Sequence, residues 1–426
     1  MTNEAKKKKG IQFPLYVSKK IGLATWKYWL IRGIGVLLAF LLAGIVCAIL
    51  KPGSFGLFYK ELFRGCFDFT DISTIVDLFV LFSLLLLIAL ALTPAFKMKF
   101  WNIGAEGQIL VACLVSAGIA KFAPRDLPNA VILIMCFFAS VAAGIVWSVI
   151  PAIFKAFFNT NETLFTLMMN YIATVLGGLA ISIWIKSGSM SFGILKQGIF
   201  PEILDNSGTV TILFAAIIFV VMFFYVKKSI HGYEMSVIGE SINTARYVGI
   251  NVKKVVIRTM IFTGAIMGII GFLIVCAINQ TFNDAIVGGK GFTGVLIAWL
   301  GHFEPVEMVL FSFLAAVMQQ GTTTASSAVN MSSHQFSNIC TGIFFFVIIG
   351  CEFFSNYQIR RHHDKEFDEL FDQYKANKIE KIKANKNGFI RIVQWLVFYI
   401  TYPFKWLIEN AKYKKSQRTQ EATVGE

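Results

Sequence analysis

Along a chain that is mostly apolar, a few polar side chains recur at spacings that bring them together. Thr163, Thr166, Asn170 and Thr174 lie three, four and four residues apart, so on a helix they share one side. Hydroxyls and amides without an imidazole or a carboxylate pair do no acid–base work; they hydrogen-bond. Inside a bilayer such groups are costly unless they face protein or water. The stripe therefore either lines a path for a neutral polar solute or glues neighbouring helices. Asn279, Gln280 and Asn283, and the pair Gln319 and Gln320, are further groups of this kind. Carboxylates near the apolar stretches are few, namely Glu106, Glu162 and Asp77. They form no relay for proton or sodium, which argues against an ion-coupled secondary transporter.

Familiar catalytic signatures fail on context. Gly289-Lys290-Gly291-Phe292-Thr293-Gly294 has GxGxxG spacing, but the dinucleotide fingerprint needs a preceding strand and a βαβ unit. Here the glycines border an apolar run, where they let backbones approach and bend. No GxxxxGK[ST] occurs, so the chain brings no phosphate loop for ATP, and any ATP-driven motor is another chain. Neither HExxH nor a paired-carboxylate constellation is present, so no enzyme activity, metal or cofactor is expected. The seven cysteines contain no CxxC pair and read as small hydrophobes, with Cys66 alone in a loop. Gly264 and Gly268 frame a GxxxG, which ordinarily serves close helix packing.

The elements that position these residues follow from composition. The chain has 426 residues, 56% hydrophobic and only 15% charged, against about 25% charged in soluble domains. Long apolar runs recur, as at 34–50, 78–92, 131–146 and 210–224. The reading is an all-α integral membrane protein with about ten spans: 31–50, 73–95, 103–121, 130–153, 163–185, 209–227, 257–279, 291–303, 306–322 and 336–356. The net charge of +14 resides in Lys and Arg between the runs, so it marks cytoplasmic loops rather than nucleic-acid binding. Placing both termini in the cytoplasm puts Lys97, Lys99, Lys155, Lys227, Lys228, Arg246, Lys253 and Lys254 inside.

The eighth span, about 13 residues, is too short to cross alone and is expected to be a half-helix or re-entrant segment. Gly104-Ala105-Glu106-Gly107 and Gly288-Gly289-Lys290-Gly291 open the third and eighth spans and would enter from opposite faces. That suits an inverted repeat, although a few glycines can also coincide. Residues 1–30 form a basic interfacial lead-in without a cleavable signal, 31–356 the transmembrane domain, and 357–426 a basic tail. In the tail, 360–386 is expected to be a charged helix. Residues 390–408 fit an interfacial amphipathic helix in contact with lipid better than an eleventh span.

Four stretches carry a family resemblance. They are Phe100-Trp101-Asn102-Ile103-Gly104-Ala105-Glu106-Gly107-Gln108; Asn161-Glu162-Thr163 continuing to Met169-Asn170-Tyr171; Thr244-Ala245-Arg246-Tyr247-Val248-Gly249; and Gly291-Phe292-Thr293-Gly294 through Trp299-Leu300-Gly301. Over about residues 75–355 the chain resembles the permease subunits of nucleoside and simple-sugar importers of the ATP-binding cassette class, on the nucleoside-type branch. That resemblance implies separate ATPase subunits, a second permease (a homo- or heterodimer), an extracytoplasmic solute-binding lipoprotein and a bacterial inner membrane. It implies a nucleoside as solute, or alternatively a simple sugar. It makes Asn102, Gly104, Glu106, Gly107 and Gln108 a family motif. It also puts Glu240, Asn243, Arg246 and Tyr247 in the loop that docks on the ATPase. Within that loop Ser241 is expected to cap a short helix and Gly249 to end it. Without the resemblance, an ordinary solvated loop is the simpler reading of 227–256. The basic tail departs from the family pattern.

Overall fold

The computed structural model describes residues 15–19, 25–185, 190–203, 206–330 and 333–361, with scattered positions between 376 and 413. The helices in chain order are α1 (Thr25–Leu50), α2 (Phe55–Arg64), α3 (Ile72–Lys97), α4 (Ala105–Phe122), α5 (Asn129–Phe158), α6 (Glu162–Trp184), α7 (Val210–Lys228), α8 (Ile230–Glu240), α9 (Ile242–Tyr247), α10 (Val252–Leu273), α11 (Lys290–Leu300), α12 (Pro305–Ala328) and α13 (Ser333–Asn356). Each of the ten expected spans is helical. Among the described residues eight helices are long and apolar enough to cross a bilayer by themselves. The two expected spans outside that set are α11 and α12. With 11 residues, α11 reaches about 16 Å at 1.5 Å per residue. The second half of α12 carries glutamine, threonine and serine.

Side-chain caps set several starts: Asp71 accepts from Ser73 N–H, Asn161 from Leu164 N–H and Asn251 from Lys254 N–H. The chain divides by contacts into Gly35–Ile349 and a second unit formed by Met1–Ile34 with Gly350–Glu426. In the first unit α3 and α10 are central, each with 72% of its apolar window buried, against 28% for the α7 span and 22% for α5. A helix that is apolar all round and mostly uncovered by its own chain suits lipid contact.

Helices α5 and α10 meet backbone to backbone. A Cβ on Gly264 would stand 2.5 Å from the Gly144 carbonyl oxygen, and one on Gly268 2.5 Å from that of Ser140. Ser148 Oγ donates to the Met260 carbonyl at 2.7 Å across the same seam. Gly264→Val is therefore expected to cost about 1–3 kcal/mol through overpacking, read as a lower midpoint of thermal unfolding in detergent. An unchanged midpoint would mean that the seam opens freely.

The second unit holds a short antiparallel ribbon that the sequence reading did not anticipate. β1 (Leu15–Lys19) pairs with β2 (Tyr357–Arg361), with Leu15 opposite Arg361 and Lys19 opposite Tyr357. In the same unit Arg32 and Glu352 form a buried ion pair, Nη2 to Oε2 at 3.0 Å. Most of residues 1–30, and most of the charged helix expected over 360–386 and of the interfacial helix expected over 390–408, lie outside the described residues; the first two positions of the former, Arg360 and Arg361, belong to β2 instead.

Candidate functional site

Between α3 and α4 the chain runs without helix from Met98 to Gly104, and Met98, Phe100 and Asn102 are buried. Buried non-helical backbone must find hydrogen-bond partners in protein or water. Here side chains supply them. Asn102 Oδ1 accepts from Gly104 N–H at 3.0 Å, and its amide pairs with that of Gln108 at 3.3 Å. Thr166 Oγ1 accepts from Ile103 N–H at 3.2 Å while donating to the Glu162 carbonyl at 2.8 Å. Asn170 bridges both sides of the break. Its Oδ1 accepts from Gly107 N–H at 2.9 Å and its Nδ2 donates to the Ile103 carbonyl at 2.9 Å.

Such stitching needs α6 very close to the start of α4. A Cβ on Gly107 would lie 2.9 Å from the Asn170 Cα, and one on Gly104 3.0 Å from the Thr166 Cβ. The glycines of the motif are thus explained by approach rather than by dihedral angle. The rest of the threonine stripe differs in setting: Thr163 is half-buried, and Thr174 is exposed with its hydroxyl on the Asn170 carbonyl at 3.1 Å.

Glu106, in the first turn of α4, reaches across to α11. Its Oε1 accepts from Gly289 N–H at 2.7 Å and its Oε2 from Gly291 N–H at 2.8 Å. These donors open α11 and have no helical acceptor of their own. A carboxylate there is also favoured by the helix dipole. A Cβ on Gly291 would stand 2.5 Å from the Glu106 nitrogen, so the two glycine-rich openings touch and α4 and α11 begin against each other.

Just past the other end of α11, Glu304 pairs with Lys97 of α3 at 3.2 Å and with Lys227 of α7 at 2.9 Å. Burial pushes the Glu304 carboxyl up, but the Lys227 and Lys97 ammonium groups outweigh it and hold the carboxyl below its ordinary value. A depressed carboxylate stabilises the fold above its unfolded pKa, about 4.3, and loses that contribution as pH falls through the lower folded value. The difference in unfolding midpoint between the wild type and Glu304→Gln, small at neutral pH for so exposed a triad, is expected to vanish in acid.

The remaining polar candidates are dispersed. Gln280, left-handed at φ 51 after the π-helical stretch Ile274–Asn279, donates to Ser207 Oγ at 2.9 Å; Asn279 before it is exposed. Asn283 Oδ1 accepts from Ala285 N–H at 3.0 Å. Gln320 Nε2 donates to the carbonyls of Gly65 at 3.0 Å and Thr74 at 2.9 Å, tying α12 to the end of α2 and the first turn of α3. Gln319 has a buried Oε1 with no partner among the described residues.

Helices α8 and α9 form a separate surface. Ser241 Oγ accepts from Thr244 N–H at 3.2 Å. Gly249, at φ 83, closes α9 with Gly249 N–H on the Arg246 carbonyl and Ile250 N–H on the Ala245 carbonyl, the paired bonds of a Schellman stop. Both ends of this helix follow the Ser/Gly spacing of the sequence. Ala245 sits with Met235 and Ile238 in a buried cluster that includes Phe100, Ala152 and Met260. On the opposite side Ile242, Asn243 and Arg246 are exposed, as is Glu240 at the end of α8, and Tyr247 is 93% exposed. A cavity of about 950 Å³ beside them is lined by Lys99, Lys155, Glu162, Arg246 and Lys253 among others. In α8, burial and then Arg258 hold His231 below the ordinary imidazole value against the opposing pull of Glu234.

Residues 74–349 match the family described as the branched-chain amino acid transport system permease component. The chain belongs to this family. The permease is 30% identical over 295 residues to the guanosine ABC transporter permease protein NupP of Bacillus subtilis (strain 168), covering 66% of this chain and 82% of that protein. It is 25% identical over 370 residues to the glucose ABC transporter permease protein TsgB13 of Haloferax volcanii, covering 80% and 94%. The nucleoside ABC transporter permease protein NupB of Lactococcus lactis subsp. cremoris is 26% identical over 251 residues, covering 56% and 69%. The chain is thus a multi-pass permease subunit of an ABC importer. The family match takes in the break after α3, the α4–α11 junction and the α8–α9 surface, and leaves out the β1–β2 ribbon. Reading the sequence missed the Glu106 cap on α11 and the Glu304 triad. For the first, the signal present was a lone acidic residue at one helix start and three clustered glycines at the other.

Proposed function

We propose that this permease carries nucleosides across the bacterial inner membrane, with ATP hydrolysed on separate cassette subunits that dock on α9. The docking reading rests on one observation: α9 turns Ile242, Asn243, Arg246 and Tyr247 outward while Ala245 anchors it on a buried apolar base. An exposed aromatic beside an arginine on a rigid support is the residue mix of interface hot spots. The lysines near this surface, Lys97, Lys99, Lys155, Lys227, Lys228, Lys253 and Lys254, support its placement in the cytoplasm with both termini. A binding lipoprotein outside delivers the solute, and a second permease, identical or paralogous, completes the path. Nucleosides are favoured by the likeness to NupP and NupB. Half-buried amides and hydroxyls such as Gln319, whose Oε1 has no partner among the described residues, and Thr163 suit a neutral polar solute. A sugar is the second reading, because the match to TsgB13 spans more of both chains.

Reconstitution with the ATPase and binding subunits tests both readings. ATP-dependent uptake of guanosine, with glucose excluded, is expected; uptake driven by an ion gradient alone would overturn the importer mechanism. Arg246→Glu is expected to weaken ATPase association at least about tenfold and to abolish uptake while leaving the unfolding midpoint unchanged. Wild-type co-purification of that variant with the ATPase would remove Arg246 from the interface.

A further inference from the structure

α11 is fastened at both ends by carboxylates. Glu106 of α4 holds its first N–H groups, and Glu304, four residues past its last one, holds Lys97 and Lys227. The lysines lead directly to the α8–α9 surface. Lys227 is in the last turn of α7, three residues before α8. Lys97 ends α3, and its carbonyl oxygen packs so closely on Gly239 of α8 that a Cβ there would collide with it. A continuous line of contacts therefore runs from α8 through Lys97 and Lys227 to Glu304, along α11, and into Glu106 at the start of α4, where Asn170 of α6 is also bound.

Two features set this line apart from ordinary packing. The triad is partly exposed, with side-chain exposures of 18% for Lys97, 39% for Lys227 and 35% for Glu304. Ion pairs in that setting add little to stability, so their position, rather than their energy, calls for an account. The turn that carries Glu304 is also strained: His302 and Phe303 are both left-handed, at φ 49 and 59, which is unusual for bulky residues. Phe303 N–H on the Ala298 carbonyl, Glu304 N–H on the Gly301 carbonyl, and the Phe303 ring against Phe96 at 5.5 Å hold it so. Strain of this kind persists where the surroundings over-determine the backbone, and it gathers at switching elements.

We propose that α11 is the strut through which movement of the α8–α9 surface reaches the start of α4, and that Glu304 is the positioning residue that joins the strut to that surface. The proposal rests on the docking reading of α9. Motor movement shifts α7–α8, the Glu304 triad carries the shift to α11, and the Glu106 cap passes it to the break between α3 and α4. Coupling of this sort is a difference in free energy between sites and is measured as a ratio.

The test uses the complete complex in liposomes and reads guanosine moved per ATP hydrolysed. Glu304→Gln is expected to lower that ratio by about tenfold, within the usual range of coupling energies, while ATPase co-purification and the unfolding midpoint at neutral pH stay at wild-type values. The charge-inverted triple variant Lys97→Glu, Lys227→Glu, Glu304→Lys is expected to recover most of the ratio. A wild-type ratio in Glu304→Gln overturns the strut, as does a loss matched by an equal loss of assembly or stability, or a triple variant no better than the single one. Failure of the wild-type permease to bind the ATPase would instead sink the docking reading, so the two failures are told apart.

Discussion

Glu106→Ala is expected to abolish uptake and to destabilise the permease by about 3 kcal/mol or more, because hydrogen bonds to a charged acceptor contribute about 1.5–3 kcal/mol each and Glu106 accepts two. The donors left behind, Gly289 N–H and Gly291 N–H, open a helix of 11 residues that is short enough to depend on its anchors. Water replaces them poorly in an interior where the two helix starts are in backbone contact. Glu106→Gln keeps one acceptor oxygen and is expected to fall between alanine and wild type. Glu106→Asp keeps the charge but shortens the reach, and it too is expected to lose one bond. Thermal unfolding in detergent and hydrogen exchange at Gly289 and Gly291 check this. An alanine variant with wild-type midpoint and wild-type protection would show that α11 starts without the cap.

Asn170→Leu is the second large expected effect, at about 2–6 kcal/mol. It strands one backbone donor, Gly107 N–H, and one acceptor, the Ile103 carbonyl, each costing about 1–3 kcal/mol when buried without a partner. Leucine is also branched where α4 packs so closely that a Cβ on Gly107 would lie 2.9 Å from the Asn170 Cα. Asn170→Asp preserves the acceptor for Gly107 and loses the donor to Ile103, so about half the cost is expected. Thr166→Val removes the acceptor for Ile103 N–H and is expected to cost about 1 kcal/mol or somewhat more. These losses should appear in the unfolding midpoint and in uptake together. A fall in uptake at an unchanged midpoint would instead give Asn170 a contact with the solute, the other role that its place in the stripe allows.

Spacing along the chain put Thr166 and Asn170 on one helix face, and that much followed from the period of 3.6. What they face did not, since it depends on the residues 98–107 folding back against α6, some 60 residues away in sequence. Gln319 and Gln320 show the same limit. Adjacent and chemically identical, they differ in outcome: Gln320 is bound to Gly65 and Thr74, while Gln319 has a buried acceptor with no partner among the described residues. The glycine-rich openings at 104–107 and 288–291 were visible as an echo, but their contact was not.

Composition and apolar periodicity alone determined a helical membrane protein, and the positions of its ten expected spans, because a bilayer admits few other solutions for a chain with so little charge. The Ser241–Gly249 cap signals likewise determined α9, since capping is decided within a single turn. Ordered motifs determined the permease family. Only the tertiary structure decided that Glu106 caps α11, that Glu304 gathers Lys97 and Lys227, that Asn170 sustains the break after α3, and that a strand ribbon joins the chain's two flanks. These depend on partners tens to hundreds of residues apart, and a hydrogen bond or ion pair between such residues leaves no periodic trace in the chain that forms it.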